Sequence, residues 1–303
     1  MPSTTAYFGE LVTNLGPLTT TFTAPALCIT ATDHYYYGKN NSLGIIYGQP
    51  TCGFKDYGDC IPSGSAYDSL VANRLKSATQ PFLYYYSPGI VCPSGWTTAG
   101  TLAHASVTGP LTRSGVFTQN PYPTSLDELP FVALPEAKVW SEVLGQSETL
   151  AFCCPSGYSG YINGVCWSSV GPRDELGYSS ICRIYYPKEA LVTVETLDGS
   201  TWTPPMISLT PVTNDWTTET GVLVTNTADS FCESDLRIHT MIPAVPLVFQ
   251  ATDIAAAETS DGGDSADDDD DSAAPRTLAR PASLQLLTVL VSMLAGAGLL
   301  TLW

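Results

Sequence analysis

Nine cysteines fall between residues 28 and 232 of this 303-residue chain: Cys28, Cys52, Cys60, Cys92, Cys153, Cys154, Cys166, Cys182 and Cys232. No other feature limits the possible folds as strongly. Secreted, loop-rich domains use such a density to staple a core that would otherwise be too small. The competing use of cysteine is a metal site. Zinc sites show C-x2-4-C knuckles or cysteines grouped with histidines, and here the knuckle spacing does not occur and His34, His104 and His239 stand isolated. All nine cysteines are therefore disulfide candidates, with no metal and no cofactor expected. An odd count leaves at least one thiol over.

The cysteines also organise a repeat. Val91-Cys92-Pro93-Ser94-Gly95-Trp96 and Ala151-Phe152-Cys153-Cys154-Pro155-Ser156-Gly157-Tyr158 each run from an apolar approach through cysteine into a Pro-Ser-Gly turn and an aromatic. Cys60-Ile61-Pro62-Ser63-Gly64 is a looser third copy. Neighbouring cysteines on a strand point to opposite faces, so Cys153 and Cys154 need different partners. Cys92 and Cys166 are the natural candidates, with the connectivity left open.

The rest of the chain reads as mainly β and loop-rich. Short Thr-, Tyr- and Val-rich runs alternate with Pro, Gly, Asn and Ser, the punctuation of strands and turns. Expected strands are Leu18 to Thr23, Asp33 to Tyr37 and Leu43 to Tyr47 (a hairpin), Phe82 to Tyr86, Gly115 to Gln119, Phe131 to Leu134, Glu148 to Cys153, Arg183 to Tyr186, Leu191 to Thr196 and a late strand within 239–250. One short helix is expected from Asp68, its cap, to Ser77. Asn40-Asn41-Ser42 is an N-glycosylation candidate at Asn40 on the hairpin turn.

These readings divide the chain into a disordered N-terminus (1–15), a disulfide-stapled β domain (16–254, with a Thr/Pro-rich part at 190–235 open to O-linked sugars), an acidic Ala/Ser/Asp stalk (255–283) and a hydrophobic helix (284–303). Residues 1–30 contain no Lys or Arg and no continuous apolar run, so they do not read as a secretory signal peptide. The stalk lacks the apolar area needed to offset the entropy of ordering. The last twenty residues, Leu284 to Trp303, carry no charge, and twenty helical residues reach about 30 Å, the thickness of a bilayer core. Small Ser272, Ala273 and Ala274, a polar spacer and an apolar tail are the parts of a lipid-anchor signal, with Ser272 the attachment candidate. The rival is a retained transmembrane helix. Arg276 and Arg280 on its N-terminal side would then favour a tail-anchored protein facing the cytosol.

The formal net charge is −17, helped by the run Asp267 to Asp271, and only 12 basic residues are present. A phosphate-binding surface needs clustered Lys and Arg, so nucleic acid is not an expected partner. No G-x-S-x-G, H-E-x-x-H or P-loop pattern occurs, and hydrolysis would have to rest on a pair among Asp127, Glu128, Glu136, Glu142 and Glu148 or on His104 or His239 with a serine.

In order along the chain, Gly16-Pro17-Leu18-Thr19-Thr20-Thr21-Phe22-Thr23-Ala24-Pro25, Cys28, Ser87-Pro88-Gly89, Cys92-Pro93-Ser94-Gly95-Trp96, Cys153-Cys154-Pro155-Ser156-Gly157-Tyr158, Cys166 and Val248-Phe249-Gln250-Ala251-Thr252-Asp253 resemble a family of uncharacterised Cys-rich surface proteins of filamentous ascomycete fungi. The resemblance covers roughly residues 16 to 254. It implies a surface location, a signal peptide upstream of this reading frame, and a spanning segment after a stalk. It implies no activity. The expected function is thus a non-enzymatic cell-surface or cell-wall-associated membrane protein, structural or adhesive, on the outer face of the plasma membrane. The alternative is a module binding cell-wall glycans by stacking Tyr35 to Tyr37, Tyr84 to Tyr86, Trp96, Trp167, Trp202 or Trp216 on sugar rings. A secreted hydrolase ranks third.

Overall fold

The computed structural model describes residues 3–18, 20–29, 31–39, 42–53, 55, 57–76, 82–104, 111–120, 131–185, 187–210, 212, 217–222 and 236–260. Cys232, Asn40, Ser272, Asp127, Glu128, Trp216 and the segment 284–303 lie outside the described residues.

The chain is mainly β, as its composition indicates, and the strands begin earlier than expected. β1 (Ser3–Tyr7) pairs antiparallel with β2 (Glu10–Asn14). Phe8 and Gly9 turn between them at φ 49° and 86°, the paired positive angles of a tight hairpin. Residues 1–15 were expected to be disordered. Instead Val12 is 1% exposed and packs with the main core. Thr4, Thr5 and Thr13 hid the strands because threonine serves a strand as well as a linker.

The described residues of Leu18 to Thr23, by contrast, form no strand. Leu18 makes one isolated bridge to Gly89, and the Phe22 carbonyl accepts from the Ser94 N–H at 2.7 Å. The segment lies largely at the surface, and strand propensity has no effect without a neighbour to pair with.

β3 (Tyr35–Lys39) and β4 (Ser42–Gly48) form the expected hairpin. α1 (Ser65–Lys76) starts three residues before the expected cap, with Asp68 inside the first turn donating its N–H to the Gly64 carbonyl. β5 (Phe82–Tyr85) lies parallel to β2 and closes a three-stranded sheet, β1-β2-β5.

β6 (Trp96–His104) and β7 (Leu111–Arg113) pair antiparallel. Gly115 to Gln119, expected as a strand, contains a short 3-10 helix, Gly115–Thr118. Gly115 sits at φ 53°, and a Cβ there would come within 2.1 Å of the Ala99 carbonyl oxygen. Only glycine allows this approach and this φ together. Gly115→Ala is expected to cost about 2–3 kcal/mol from left-handed strain plus overpacking, measured by urea denaturation.

β8 (Val132–Ala133) precedes a helix that was not anticipated, α2 (Glu136–Val143). β9 (Thr149–Pro155), β10 (Ser159–Tyr161), β11 (Val165–Pro172) and β12 (Ser180–Tyr185) follow. β13 (Leu191–Leu197) and β14 (Ser200–Leu209) form a hairpin across Asp198-Gly199, again both at positive φ, and β8 adds in parallel to β14. β15 (Thr217–Val222) pairs with β12. The described residues of the Thr/Pro-rich part are therefore largely strand.

The late apolar run divides into β16 (Leu236–Pro243) and β17 (Val245–Phe249). β16 is the middle strand of the sheet β10-β11-β16-β3-β4, whereas β17 lies at the edge of β17-β9-β6-β7. Prolines cannot donate to a ladder and belong at edges. Pro243 ends the first strand, and Pro246 lies in the edge strand. α3 (Ala251–Ser260) then begins with the Asp253 carboxylate accepting from the Gln250 N–H at 2.7 Å. Residues 255–260, assigned above to a disordered stalk, are helical. Three apolar clusters result. The largest surrounds α2, β6 and one face of β9. The second covers β5, β17 and the other face of β9. The third is Tyr37, Ile181, Leu236 and Ile238.

Candidate functional site

Every residue of β9 from Leu150 to Cys154 is buried, because cores press on both of its faces. Leu150, Phe152 and Cys154 belong to the large cluster, and Cys153 to the second. The alternation of a strand thus sends the adjacent cysteines apart. Cys153 bonds to Cys92, and Cys154 to Cys166, the two partners named above as candidates.

The repeated turns meet at the ends of paired strands, with Trp96 opposite Pro155 in the β6–β9 ladder. In each, the aromatic N–H donates to the proline carbonyl three residues back at 3.0 Å, Trp96 to Pro93 and Tyr158 to Pro155. Gly95 and Gly157 hold the third position at φ 76° and 85°, the angle that a type II turn requires there. The Ser156 N–H donates across to the Gly95 carbonyl at 2.8 Å. The motif is a paired turn bearing one disulfide on each side. The third copy differs: Gly64 immediately precedes α1 and forms no such turn, while Cys60 bonds to Cys28. A fourth bond joins Cys52 to Cys182.

The candidate acids separate. Lys138 Nζ bridges Asp198 at 2.8 Å and Glu142 at 2.5 Å. Hydrogen bonds donated to the Asp198 and Glu142 carboxylates raise the lysine above its ordinary pKa. Glu148 accepts from the Gly145 N–H at 2.7 Å and closes a turn. Both are structural positions.

Glu136 differs. It opens α2, and its Oε2 is sealed from water with no hydrogen-bond partner among the described residues. Gly164 lies nearby, and a Cβ there would stand at ordinary van der Waals distance, 3.5 Å, from Oε2. Burial, and secondarily the Glu10 carboxylate, push its pKa from 4.5 up to about 8. The residue as a whole is partly exposed, but the sealed oxygen governs the cost of charging it. Nothing in sequence links Glu10 to Glu136, and only the fold brings the two carboxylates together.

A carboxyl group whose folded pKa is raised contributes stability below its unfolded value, and that contribution is lost as pH rises through the folded value. The window here runs from 4.5 to about 8. Stability should fall across it by up to roughly 1.4 kcal/mol per pH unit. Glu136→Gln should flatten that slope in chemical denaturation repeated at several pH values.

The histidines occupy separate places. His34 is 2% exposed, with its ring 4.7 Å from Tyr57 and its Nε2 3.8 Å from Asp33. His239 is fully enclosed and edge-on to Trp167 at 5.1 Å. His104 ends β6, opposite Leu111.

Most of the aromatic residues weighed as a sugar platform serve packing. Tyr37, Tyr84 and Tyr86 are buried. Tyr85 meets Trp140 edge-on at 6.0 Å, Tyr35 meets Tyr178 likewise at 6.1 Å, and Trp96 packs beside Cys92 and Cys153. Tyr36 carries Lys55 Nζ 5.6 Å from its ring centre. Trp202 is partly buried on β14.

Among the described residues no three His, Cys, Asp or Glu side chains gather as metal ligands, and no helix is long and apolar enough to cross a membrane. No protein-family model, no curated protein and no solved structure matches the chain.

Proposed function

We propose that the chain is a non-enzymatic cell-surface protein that displays a disulfide-stapled β domain in a structural or adhesive role. The four disulfides carry the reading. Bonds of this kind persist in oxidising compartments and are rare in the cytosol, so their presence opposes a tail-anchored domain facing the cytosol. The resemblance to Cys-rich surface proteins of ascomycete fungi agrees with that side of the membrane. Residues 261–283 serve as an acidic stalk, and Leu284 to Trp303 as the membrane segment, held as a lipid-anchor signal with attachment at Ser272.

The side chains support display over catalysis. Glu142 and Glu148 are engaged in an ion pair and a turn, and the Glu136 Oε2 is buried. A carboxyl oxygen sealed in that position is withdrawn from solvent. The test is surface labelling of intact cells expressing the full chain. The domain should be accessible to an impermeant reagent, run faster on non-reducing gels than on reducing ones, and be released by a phosphatidylinositol-specific phospholipase. Labelling only after permeabilisation would overturn the reading. Surface labelling without phospholipase release would overturn the lipid anchor alone.

A further inference from the structure

The four disulfides differ in their access to solvent. Cys153, Cys154, Cys166, Cys182 and Cys28 are buried, at 0%, 1%, 0%, 2% and 6% exposure, and Cys60 and Cys92 are half-buried. Cys52 alone among the paired cysteines is exposed, in the exposed run Thr51-Cys52-Gly53. A disulfide is reduced by in-line attack of a thiolate on one sulfur, so access to one end decides which bond opens first.

The Cys52–Cys182 bond has a local structural role. It joins the loop after β4 to β12. Two backbone hydrogen bonds between Gln49 and Cys182, at 2.9 and 2.8 Å, lie beside it, and the Ser180 hydroxyl donates to the Pro50 carbonyl at 3.0 Å. Beneath, the Tyr37 hydroxyl donates to the Ser180 carbonyl at 2.7 Å. Among the described residues the β12–β15 pair buries little else. On β12 only Ile181 and Cys182 are buried, and Thr217 to Gly221 of β15 are all exposed. The cluster that receives Ile181 is the smallest of the three. The β9 staples, by contrast, sit inside the two larger cores.

We infer that Cys52–Cys182 is a redox-openable clamp on the β12–β15 sheet, addressed by an external thiol. The thiolate attacks Cys52 Sγ, and the Cys52–Cys182 bond breaks. The electron pair leaves on the Cys182 sulfur, which takes up a proton. A second external thiol then attacks the mixed disulfide, which frees Cys52 as a thiol and leaves the reductant as its own disulfide. Two electrons pass from the two external thiols to the protein cystine. Opening releases β12–β15 and exposes its strand edges, while the bonds of Cys92–Cys153 and Cys154–Cys166 keep the rest of the domain folded.

The experiment treats the full chain with graded reduced glutathione, traps free thiols by alkylation and locates them by mass spectrometry, with hydrogen exchange run in parallel. Cys52 and Cys182 should become alkylated about tenfold faster than Cys92, Cys153, Cys154 or Cys166, as access to the sulfur requires. Amide exchange should rise in 180–185 and 217–222 and stay unchanged in 149–155. Opening of another disulfide first, or of all four together, would overturn the proposal. A Cys52→Ser/Cys182→Ser variant separates the clamp from general loosening. It should show raised exchange in the same strands without any thiol, and no further response when thiol is added. A thiol response in β12–β15 of that variant would also overturn the proposal.

Discussion

Replacing Cys92, Cys153, Cys154 and Cys166 together by alanine is expected to leave the domain unfolded at physiological temperature. The two bonds span 61 and 12 residues. Loop-closure entropy assigns about 4 kcal/mol to the first and about 3 kcal/mol to the second. Together these rival the whole stability of an ordinary domain, about 5–15 kcal/mol. Removing Cys153 and Cys154 also takes two sulfurs out of fully buried positions on the strand that both cores share. Each pair removed alone should leave a folded protein with a lower melting temperature, by roughly 8–16 °C for Cys92–Cys153 and less for Cys154–Cys166. Thermal unfolding followed by circular dichroism distinguishes the outcomes. A cooperative transition in the fourfold variant close to the wild-type temperature would show that the staples are dispensable.

The staples were legible in sequence because they rest on local rules. Two adjacent cysteines on a strand must part, and a Pro-Ser-Gly-aromatic run must turn with glycine at the left-handed position. Both rules act within eight residues. The hairpin of β3 and β4 and the strand of β5 were readable for the same reason. What failed needed knowledge of distant neighbours. The β1–β2 hairpin is Thr-rich and resembles a linker until Val12 is found inside the core. Leu18 to Thr23 has the composition of a strand and finds no ladder to join. Glu10 and Glu136 come close only through the fold.

α2 is a different kind of miss, since its signals were local. Pro135 precedes it, Glu136 occupies its first turn, Ala137, Trp140 and Leu144 fall on one face, and Gly145 follows its end. These are ordinary start, face and stop signals. They were obscured because prolines and polar residues on either side make the whole stretch from Leu102 to Gly145 look irregular. Cys52 and Cys182 illustrate the remaining limit, since a bond across 130 residues leaves no trace in spacing.

Trp140→Ala should then be the most damaging single substitution outside the cysteines. Trp140 is 1% exposed and is the largest fully buried side chain. It meets Tyr85 of β5 and Phe152 of β9 edge-on, at 6.0 and 6.1 Å, so it joins α2 to the sheets on either side. Truncation removes that contact area and leaves a cavity that close-packed strands cannot fill, at a cost of about 3–5 kcal/mol, or roughly 6–20 °C in melting temperature. Trp140→Phe separates volume from polarity. The indole Nε1 is buried without a hydrogen-bond partner among the described residues, so losing its N–H forfeits no hydrogen bond. Phenylalanine keeps the aromatic edge contacts and gives up only part of the volume, and its cost should stay under about 1.5 kcal/mol. A Trp140→Phe loss equal to that of Trp140→Ala would show that the indole nitrogen holds a partner such as a buried water, because only then does removing the N–H carry its own penalty.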